Sequence, residues 1–278
     1  MTDQQKRARL REILADPTGA IAPGVNDGLF ARLVQDCGYA AAHLSGNAIH
    51  KNFCLPDRNL LTTTQIAQRI GQISEATDIP LIVDGGSICA ESVAIARAVK
   101  LYERAGAAAI RFEDALVNEY GGAAEELAIA PISVVVERIK AATDARSDPS
   151  LVLIARCDAR PKESLNQVRD RLAAYAEAGA DAVGVQLTDV EDFRQIGANP
   201  TAPLVTLWPK AQMSAMEFFR AGFRIALIPS SLPLAAIAGA REMLLELKQT
   251  GSDREYFARQ KQFRASETWY KKLGAEGK

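Results

Sequence analysis

The chain has 278 residues, of which 48% are hydrophobic and 24% charged, and its formal net charge at pH 7 is −1. This length suffices for one large domain, since an α/β barrel needs roughly 250 residues. The balanced charge argues against a nucleic-acid binder or a protein held on anionic membranes, because both need basic surfaces. We therefore expect the partner to be a small molecule.

The cysteines and the N-terminus indicate the cellular compartment of the protein. Four cysteines occur without any C-x-x-C pair: Cys37, Cys54, Cys89 and Cys157. The opening MTDQQKRARL has no apolar signal segment, and no apolar run approaches the roughly 18 residues of a membrane span. These features predict a protein of the reducing cytoplasm without disulfides. The only histidines are His43 and His50, which disfavours a multi-histidine zinc site.

Helical and strand patterns alternate along the chain. An amphipathic helix is predicted over residues 3–15, before Pro17. The predicted strands are Ala20–Ala22, Tyr39–Leu44, Leu81–Asp84, Ala107–Phe112, Leu151–Ala155, Ala182–Val185, Leu204–Leu207 and Ile225–Ile228. Further helices are predicted to end near Cys37 and to cover Thr62–Thr77, 93–105, Ile132–Ala145, Ser164–Ala178, Leu234–Leu247 and Glu255–Lys272, with loops over 48–61 and 118–128.

Eight strands in this alternation favour a (β/α)8 barrel of the TIM type. A doubly wound open sheet is the rival, but the glycine-rich phosphate-binding sequence is missing after the first strand. We predict that residues 1–248 form the barrel together with its N-terminal helix, and that residues 249–278 form a helical extension. The aromatic-rich last helix could pack on its own barrel or against another subunit, and we favour an oligomer.

Carboxylates end two neighbouring predicted strands. Asp84 ends the third strand, and Glu113 follows the fourth. The carboxyl ends of parallel strands open on the same edge of a sheet, so both acids are expected to face one pocket. Each acid could instead cap the next helix, but the pair favours a hard-metal or acid–base site.

Other strand ends add to this pocket. Ser45-Gly46-Asn47 follows the second strand, Asp57 lies in the next loop, and Arg156 ends the fifth strand. Lys210 follows the seventh strand and is interpreted as exposed. Three acids and an arginine suit a divalent metal of the magnesium class and an anionic substrate, because arginine binds carboxylates with two hydrogen bonds. The amides of the Ser45 turn could bind a second carboxylate.

Eight segments together carry a recognisable pattern: Pro23–Val25 with Asp27, Ser45-Gly46, Pro56-Asp57, Pro80–Asp84, Glu103–Ala109, Glu113-Asp114, Ile154–Ala159 and Tyr175–Ala182. With them the chain resembles the isocitrate lyase and phosphoenolpyruvate mutase superfamily over nearly its whole length. The resemblance implies a barrel that binds Mg²⁺ or Mn²⁺ and a 2-oxo acid or its enolate, in oligomers that exchange a C-terminal helix.

The resemblance also implies roles for particular residues. Asp84 would be the direct metal ligand, while Asp57 and Glu113 would hold metal-bound waters. The segment Ser45, Gly46 and Asn47 would cradle the substrate carboxylate, and Arg156 would bind it from the other side.

Two segments depart from the family. After the third strand, the family commonly has the segment Asp-Ala-Asp-Thr-Gly-Tyr-Gly. This chain has Asp84-Gly85-Gly86-Ser87-Ile88-Cys89-Ala90 there, so Gly86 replaces the second aspartate. Metal affinity should fall, or the site has changed its use. The lyase members of the family carry Lys-Lys/Arg-Cys-Gly-His on the loop after the fourth strand, and its cysteine transfers a proton. This chain has Val117-Asn118-Glu119-Tyr120-Gly121-Gly122 there and lacks both that cysteine and the histidine. An ordinary isocitrate or methylisocitrate lyase is therefore disfavoured.

Other residues could replace the lost groups. The mutase branch uses a lysine- and asparagine-bearing loop that is not found in register here, and Asn118 or Tyr120 could fill part of its role. Cys54 or Cys89 could supply a thiol, and His50 could donate a proton. Each also has an ordinary interpretation, as a loop residue, a buried thiol or a solvated loop histidine.

The sequence thus predicts an Mg²⁺- or Mn²⁺-dependent carbon–carbon lyase or decarboxylase for a small 2-oxo or 2-hydroxy dicarboxylate. Oxaloacetate decarboxylation, through a metal-stabilised enolate, is the closest known activity. The alternatives are phosphonopyruvate mutase- or hydrolase-type chemistry and a carboxylate-binding relative that has lost catalysis. We expect a homo-oligomer, dimer or tetramer, and no nucleic-acid or membrane partner.

Overall fold

The computed structural model describes residues 1–56, 60–85, 91–115, 128–260 and 262–273. Its strands are β1 Ala20–Pro23, β2 Ala42–Leu44, β3 Leu81–Asp84, β4 Ala109–Glu113, β5 Val152–Cys157, β6 Ala182–Val185, β7 Leu204–Leu207 and β8 Phe223–Ile228. They form one parallel sheet in the order β1-β8-β7-β6-β5-β4-β3-β2, and a bridge between Gly24 and His43 links β1 to β2. The predicted (β/α)8 barrel is confirmed.

Twelve helices occur in the described ranges: α1 Asp3–Ala15, α2 Gly28–Asp36, α3 Gly46–Asn52, α4 Thr63–Ala76, α5 Ser92–Arg104, α6 Ile132–Ala145, α7 Leu165–Glu177, α8 Val190–Ala198, α9 Ala215–Arg220, α10 Ser231–Thr250, α11 Arg254–Arg259 and α12 Phe263–Lys272. The loop predicted over 48–61 is wrong at its start, because α3 reaches Asn52. The single helix predicted over Glu255–Lys272 is two helices, since Gln260 has extended backbone (φ −79°, ψ 99°).

Local sequence signals set where the barrel helices begin and end. Four of them, α1, α4, α7 and α9, start with a capping box in which a Thr or Ser side chain and a Gln or Glu three residues later satisfy exposed amides. Gly106 and Gly179 follow α5 and α7 with φ of +94° and +109°. Such positive φ values favour glycine, and they turn the chain into β4 and β6.

Helix α1 covers the amino-terminal end of the barrel. Its Leu10, Ile13 and Leu14 pack with the side chains that fill the barrel interior. Arg7 Nε donates to the Ala107 carbonyl at 3.0 Å, and Arg11 Nε donates to the Ser150 carbonyl at 3.0 Å, both just before strands. At the opposite, carboxyl-terminal end, described residues of several strands line a cavity.

Contacts between residues divide the chain into two compact units, Met1–Leu232 and Pro233–Lys278. The sequence-based boundary between residues 248 and 249 stays a prediction. Among the described helices, none is long and apolar enough to cross a bilayer. Cys37, Cys54 and Cys157 are free thiols.

Candidate functional site

A cavity of about 360 Å³ opens at the carboxyl-terminal ends of the strands. Residues at the ends of β2, β3, β4, β5, β7 and β8 line it together with α3. This is the face on which barrels of this type carry their active sites. The predicted residues Ser45, Gly46, Asn47, Asp84, Glu113 and Arg156 all line the cavity.

Asp84 and Arg111 form a buried ion pair in the cavity wall. The β3–β4 register places them directly opposite each other, and Arg111 Nη2 donates to Asp84 Oδ2 at 2.7 Å. The Gly46 amide donates to the same oxygen at 3.3 Å. Burial alone would raise the pKa of Asp84, but the positive charge of Arg111 overcomes this and lowers the pKa to about 2. Asp84 is therefore ionised and already paired with a cation.

Several polar atoms around this pair have no hydrogen-bond partner in the described part of the chain. They are Nε and Nη1 of Arg111, Oδ1 of Asp84 and both ring nitrogens of His43. Arg111 is 3% exposed and His43 is fully buried. Buried polar atoms are nearly always hydrogen-bonded in native proteins. Because all three residues line the cavity, these atoms are available to hydrogen-bond water or a polar ligand there.

His43 projects from the middle of β2 into the cavity. Burial lowers its pKa to about 3, and the nearby charge of Arg111 acts in the same direction. The imidazole is therefore neutral at neutral pH, with one nitrogen as donor and the other as acceptor. It can hydrogen-bond a substrate oxygen without adding charge to the site.

Arg156 on β5 is held by side chains from three strands or strand ends. Its Nε donates to Asp158 Oδ1 at 2.6 Å, its Nη2 donates to Gln186 Oε1 at 3.1 Å, and its Nη1 lies 3.5 Å from Glu113 Oε2. These contacts fix the plane of the guanidinium at the cavity. A fixed guanidinium is suited to orient a carboxylate.

Two buried carboxyls accompany Arg156. Glu113 is 6% exposed and Asp158 is 2% exposed. Burial raises the pKa of Glu113 to about 7, against the opposing effect of Arg156. Burial also raises the pKa of Asp158. Glu113 can therefore carry a proton near neutral pH, which is a property of general acids and bases.

The segment after β2 is helical where a turn was expected. Ser45 precedes α3 without a side-chain capping hydrogen bond, and the Gly46 amide is already directed at Asp84. Of the two interpretations of His50, the solvated loop side chain is wrong. It lies in α3, is 2% exposed, and its Nδ1 is 2.8 Å from the Gly46 carbonyl oxygen.

Some predicted residues lie elsewhere. Lys210 is exposed, as expected, and its Nζ bonds to Ser231 Oγ. Cys54 is exposed and has φ of +54°. Other candidates fall outside the described residues: Asp57, Gly86, Cys89, Asn118 and Tyr120.

Asp114, next to Glu113, has a structural role. It is fully buried, its Oδ1 accepts from the Asp158 amide at 2.8 Å, and its Oδ2 accepts from the Tyr175 hydroxyl at 2.8 Å. Arg171 Nη1 lies 3.6 Å from Oδ2. Asp114 therefore ties the end of β4 to the end of β5 and to α7, and this positions Glu113 and Arg156.

A family model described as phosphoenolpyruvate phosphomutase matches residues 10–248, which is most of the chain. The chain belongs to this family. Its membership confirms the resemblance to the isocitrate lyase and phosphoenolpyruvate mutase superfamily.

Curated and structural relatives agree with this assignment. The chain is 32% identical over 251 residues to the 2-methylisocitrate lyase of Aeropyrum pernix, covering 88% of this chain and 81% of the relative. It is 30% identical to the 2,3-dimethylmalate lyase of Eubacterium barkeri, over 87% and 86% of the two chains. A crystal structure of phosphonopyruvate hydrolase with oxalate and Mg²⁺ superimposes with a TM-score of 0.83 at 26% identity, over 99% and 98%. These relatives confirm the predicted enzyme class, a lyase of this superfamily.

The resemblance to the phosphomutase family implies a divalent metal ion at Asp84, and the side chains around Asp84 decide whether they suit one. Among the described residues, no three His, Cys, Asp or Glu side chains come together as ligands. A divalent ion on Asp84 would lie within roughly 5 Å of the Arg111 guanidinium, and the repulsion is on the order of 7 kcal/mol at an effective dielectric constant of about 20. The described residues therefore do not fit a divalent cation at Asp84.

Three residues of the site were not predicted as functional from the sequence: Arg111, His43 and Asp158. The sequence did contain a signal for Arg111. It lies two residues before Glu113 in an otherwise apolar strand, so the two side chains must point to the same face of the sheet. A charged residue inside a buried strand needs a partner. His43 and Arg111 lie within strands, and Asp158 directly follows β5.

Proposed function

We propose that the protein is a carbon–carbon lyase or decarboxylase for a small 2-oxo or 2-hydroxy dicarboxylate, with oxaloacetate as the first substrate to test. One observation carries this proposal. Two guanidinium groups, from Arg111 and Arg156, line the same cavity of about 360 Å³ together with a neutral His43. A small molecule with two anionic groups matches this arrangement in charge and in size.

The chemistry requires positive charge at one substrate oxygen. Cleavage of a bond next to a carbonyl, with loss of CO₂ or of an oxo acid, leaves an electron pair that delocalises onto oxygen as an enolate. Donors fixed in a buried site stabilise such a charge far more than water does. A divalent cation, as in the phosphonopyruvate hydrolase crystal with oxalate and Mg²⁺, is the source that the sequence predicts. Arg111 is a source within the chain itself.

The remaining residues bind and orient the substrate in this proposal. Arg156, held by Asp158 and Gln186, binds one carboxylate. Ser45, Gly46 and Asn47, at the start of α3, line the same cavity and contribute polar contacts. Glu113, with its raised pKa, holds or releases a proton. The role of Asp57 stays a prediction.

Phosphonate chemistry is the second candidate. The likeness to phosphonopyruvate hydrolase supports it, because cleavage of a carbon–phosphorus bond beside a carbonyl also leaves an enolate. The curated 2-methylisocitrate and 2,3-dimethylmalate lyases make their substrates necessary members of any screen.

The test is a turnover screen of the full-length protein with oxaloacetate, 2-methylisocitrate, 2,3-dimethylmalate and phosphonopyruvate. Product oxo acids are followed by reduction with a dehydrogenase, and each assay is run with a chelator and with added Mg²⁺. Arg156→Met should abolish turnover of the accepted substrate. Arg194→Met is the matched control, since that arginine side chain is 58% exposed. Oxalate binding without turnover of any substrate would favour a carboxylate-binding protein that has lost catalysis.

Self-association is part of the proposal. Helix α10 has no buried residue, and Leu234, Ile237 and Leu244 on it are 62%, 61% and 57% exposed. They recur at helical spacing on one side of the helix. Exposed apolar side chains concentrated in this way are typical of protein–protein contacts. A dimer or tetramer would bury them.

A further inference from the structure

We infer that the guanidinium of Arg111 takes the place of a divalent cation at Asp84, so that this protein binds the carboxylate and enolate oxygens of its ligand without a metal. The inference rests on the proposed enolate chemistry and specifies how it is achieved. It assigns Arg111 as a ligand-binding residue of the site.

The position of Arg111 is built into the barrel. The β3–β4 register sets it directly across from Asp84, and their side chains are 2.7 Å apart at Nη2 and Oδ2. Both side chains are at least nine-tenths buried, with 3% and 10% exposure. A carboxylate in this pair neutralises and orients the guanidinium, as it would otherwise do for a metal ion.

Arg111 keeps donors for a ligand. A guanidinium has five N–H bonds, and Asp84 uses Nη2. Nε and Nη1 have no partner in the described part of the chain, although both are buried in a residue that lines the cavity. A carboxylate or enolate oxygen in the cavity would accept from these nitrogens, and a charge-assisted hydrogen bond of this kind is about twice as strong as a neutral one.

The charges around Asp84 favour an anionic ligand over a metal ion. Gly86 stands where the family has a second aspartate, so one carboxylate is missing, and Arg111 places a fixed positive charge beside Asp84. Loss of a negative charge weakens metal binding, while a buried cation repels a second cation and attracts an anion. Together, the missing carboxylate and the buried guanidinium describe a site that keeps its anionic ligand and no longer needs the metal.

The experiment is isothermal titration of oxalate, a mimic of the pyruvate enolate, into chelator-stripped full-length protein. We expect binding in the presence of chelator, with an affinity that added Mg²⁺ or Mn²⁺ changes by less than about threefold. Titration of Mn²⁺ alone into the wild-type protein should show no stoichiometric site. Oxalate binding that requires Mg²⁺ or Mn²⁺ would overturn the inference, and so would an absence of oxalate binding under both conditions.

Substitutions of Arg111 test whether its guanidinium binds the ligand. Arg111→Met should weaken metal-free oxalate binding by roughly tenfold or more, and Arg111→Lys should retain part of it. Arg194→Met should match the wild type in every titration. If Arg111→Met does not fold, Arg111→Lys and the wild-type Mn²⁺ titration still decide the question.

These outcomes separate the two proposals. A protein that binds oxalate in chelator but turns over no substrate keeps this inference and loses the lyase proposal. An enzyme that turns over oxaloacetate only with Mg²⁺ keeps the lyase proposal and loses this inference.

Discussion

Asp84 and Arg111 lie opposite each other on neighbouring parallel strands, with 2.7 Å between carboxylate oxygen and guanidinium nitrogen. The pair leaves Oδ1 of Asp84 and Nε and Nη1 of Arg111 without partners in the described part of the chain. The barrel register therefore produces a fixed cation next to open hydrogen-bonding positions at the cavity.

Breaking this pair should destabilise the fold. Asp84→Asn leaves the Arg111 guanidinium buried without a counter-charge, which costs roughly 3 kcal/mol in comparable cases. Adding Arg111→Met to that variant removes the unpaired charge and should recover part of the loss. Urea unfolding of the two single variants and the double variant measures the coupling. Additive free energies of unfolding would contradict a direct interaction.

Tyr175 should matter to stability through Asp114. Its hydroxyl donates to Asp114 Oδ2 at 2.8 Å inside the protein, so Tyr175→Phe leaves a buried carboxyl less satisfied. The expected loss is about 1–3 kcal/mol of unfolding free energy. Tyr39→Phe is the control, because Tyr39 is 39% exposed, and its effect should stay under about 0.5 kcal/mol. Equal effects of the two variants would argue against the role given to Asp114.

Asp148 should give the protein acid-sensitive stability. Burial would raise its pKa, but hydrogen bonds from Ser150 and Arg7 overcome this and lower the pKa from 3.8 to about 2. Because the folded-state pKa is depressed, this contribution is present above pH 4 or so and is lost as the pH falls through about 2.

The size of the Asp148 effect is on the order of 1–2 kcal/mol after solvent screening. Urea unfolding of the wild type and of Asp148→Asn, at several pH values between acid and neutral, should show a difference near neutral pH that shrinks in acid. A difference that does not depend on pH would show that charge pairing at Asp148 is not the cause.

The exposed side of α10 should hold subunits together. Ile237→Lys places a charge among Leu234 and Leu244, and the desolvation cost should lower the mass measured by sedimentation equilibrium. Val93→Lys is the matched control, since Val93 on α5 is 82% exposed but lies on a different helix. A monomeric wild-type protein, or an unchanged mass for the Ile237 variant, would contradict the prediction.

Much of the fold could be read from the sequence because its signals are local. Apolar runs and helix-ending glycines such as Gly106 and Gly179 predicted all eight strands and the barrel. Short helices such as α3, α8 and α9 escaped, because six to nine residues carry little periodicity. The break at Gln260 has neither proline nor glycine to announce it.

The sequence predicted the site residues at the ends of strands, but not those within strands. Asp84, Glu113 and Arg156 follow from the rule that barrel chemistry lies at the carboxyl ends of strands. The pairing of Asp84 with Arg111 depends on register between two strands, which sequence spacing does not give. The partnerless nitrogens of His43 likewise become visible only when the surrounding side chains are in place.

The most direct test of the account is the rate of pyruvate formation from oxaloacetate by the full-length protein after exhaustive chelation, with the spontaneous reaction subtracted. We predict a rate that is unchanged when Mg²⁺ is added back, and that falls in Arg111→Met but not in Arg194→Met. A rate that disappears on chelation and returns with Mg²⁺ would contradict the replacement of the metal by Arg111.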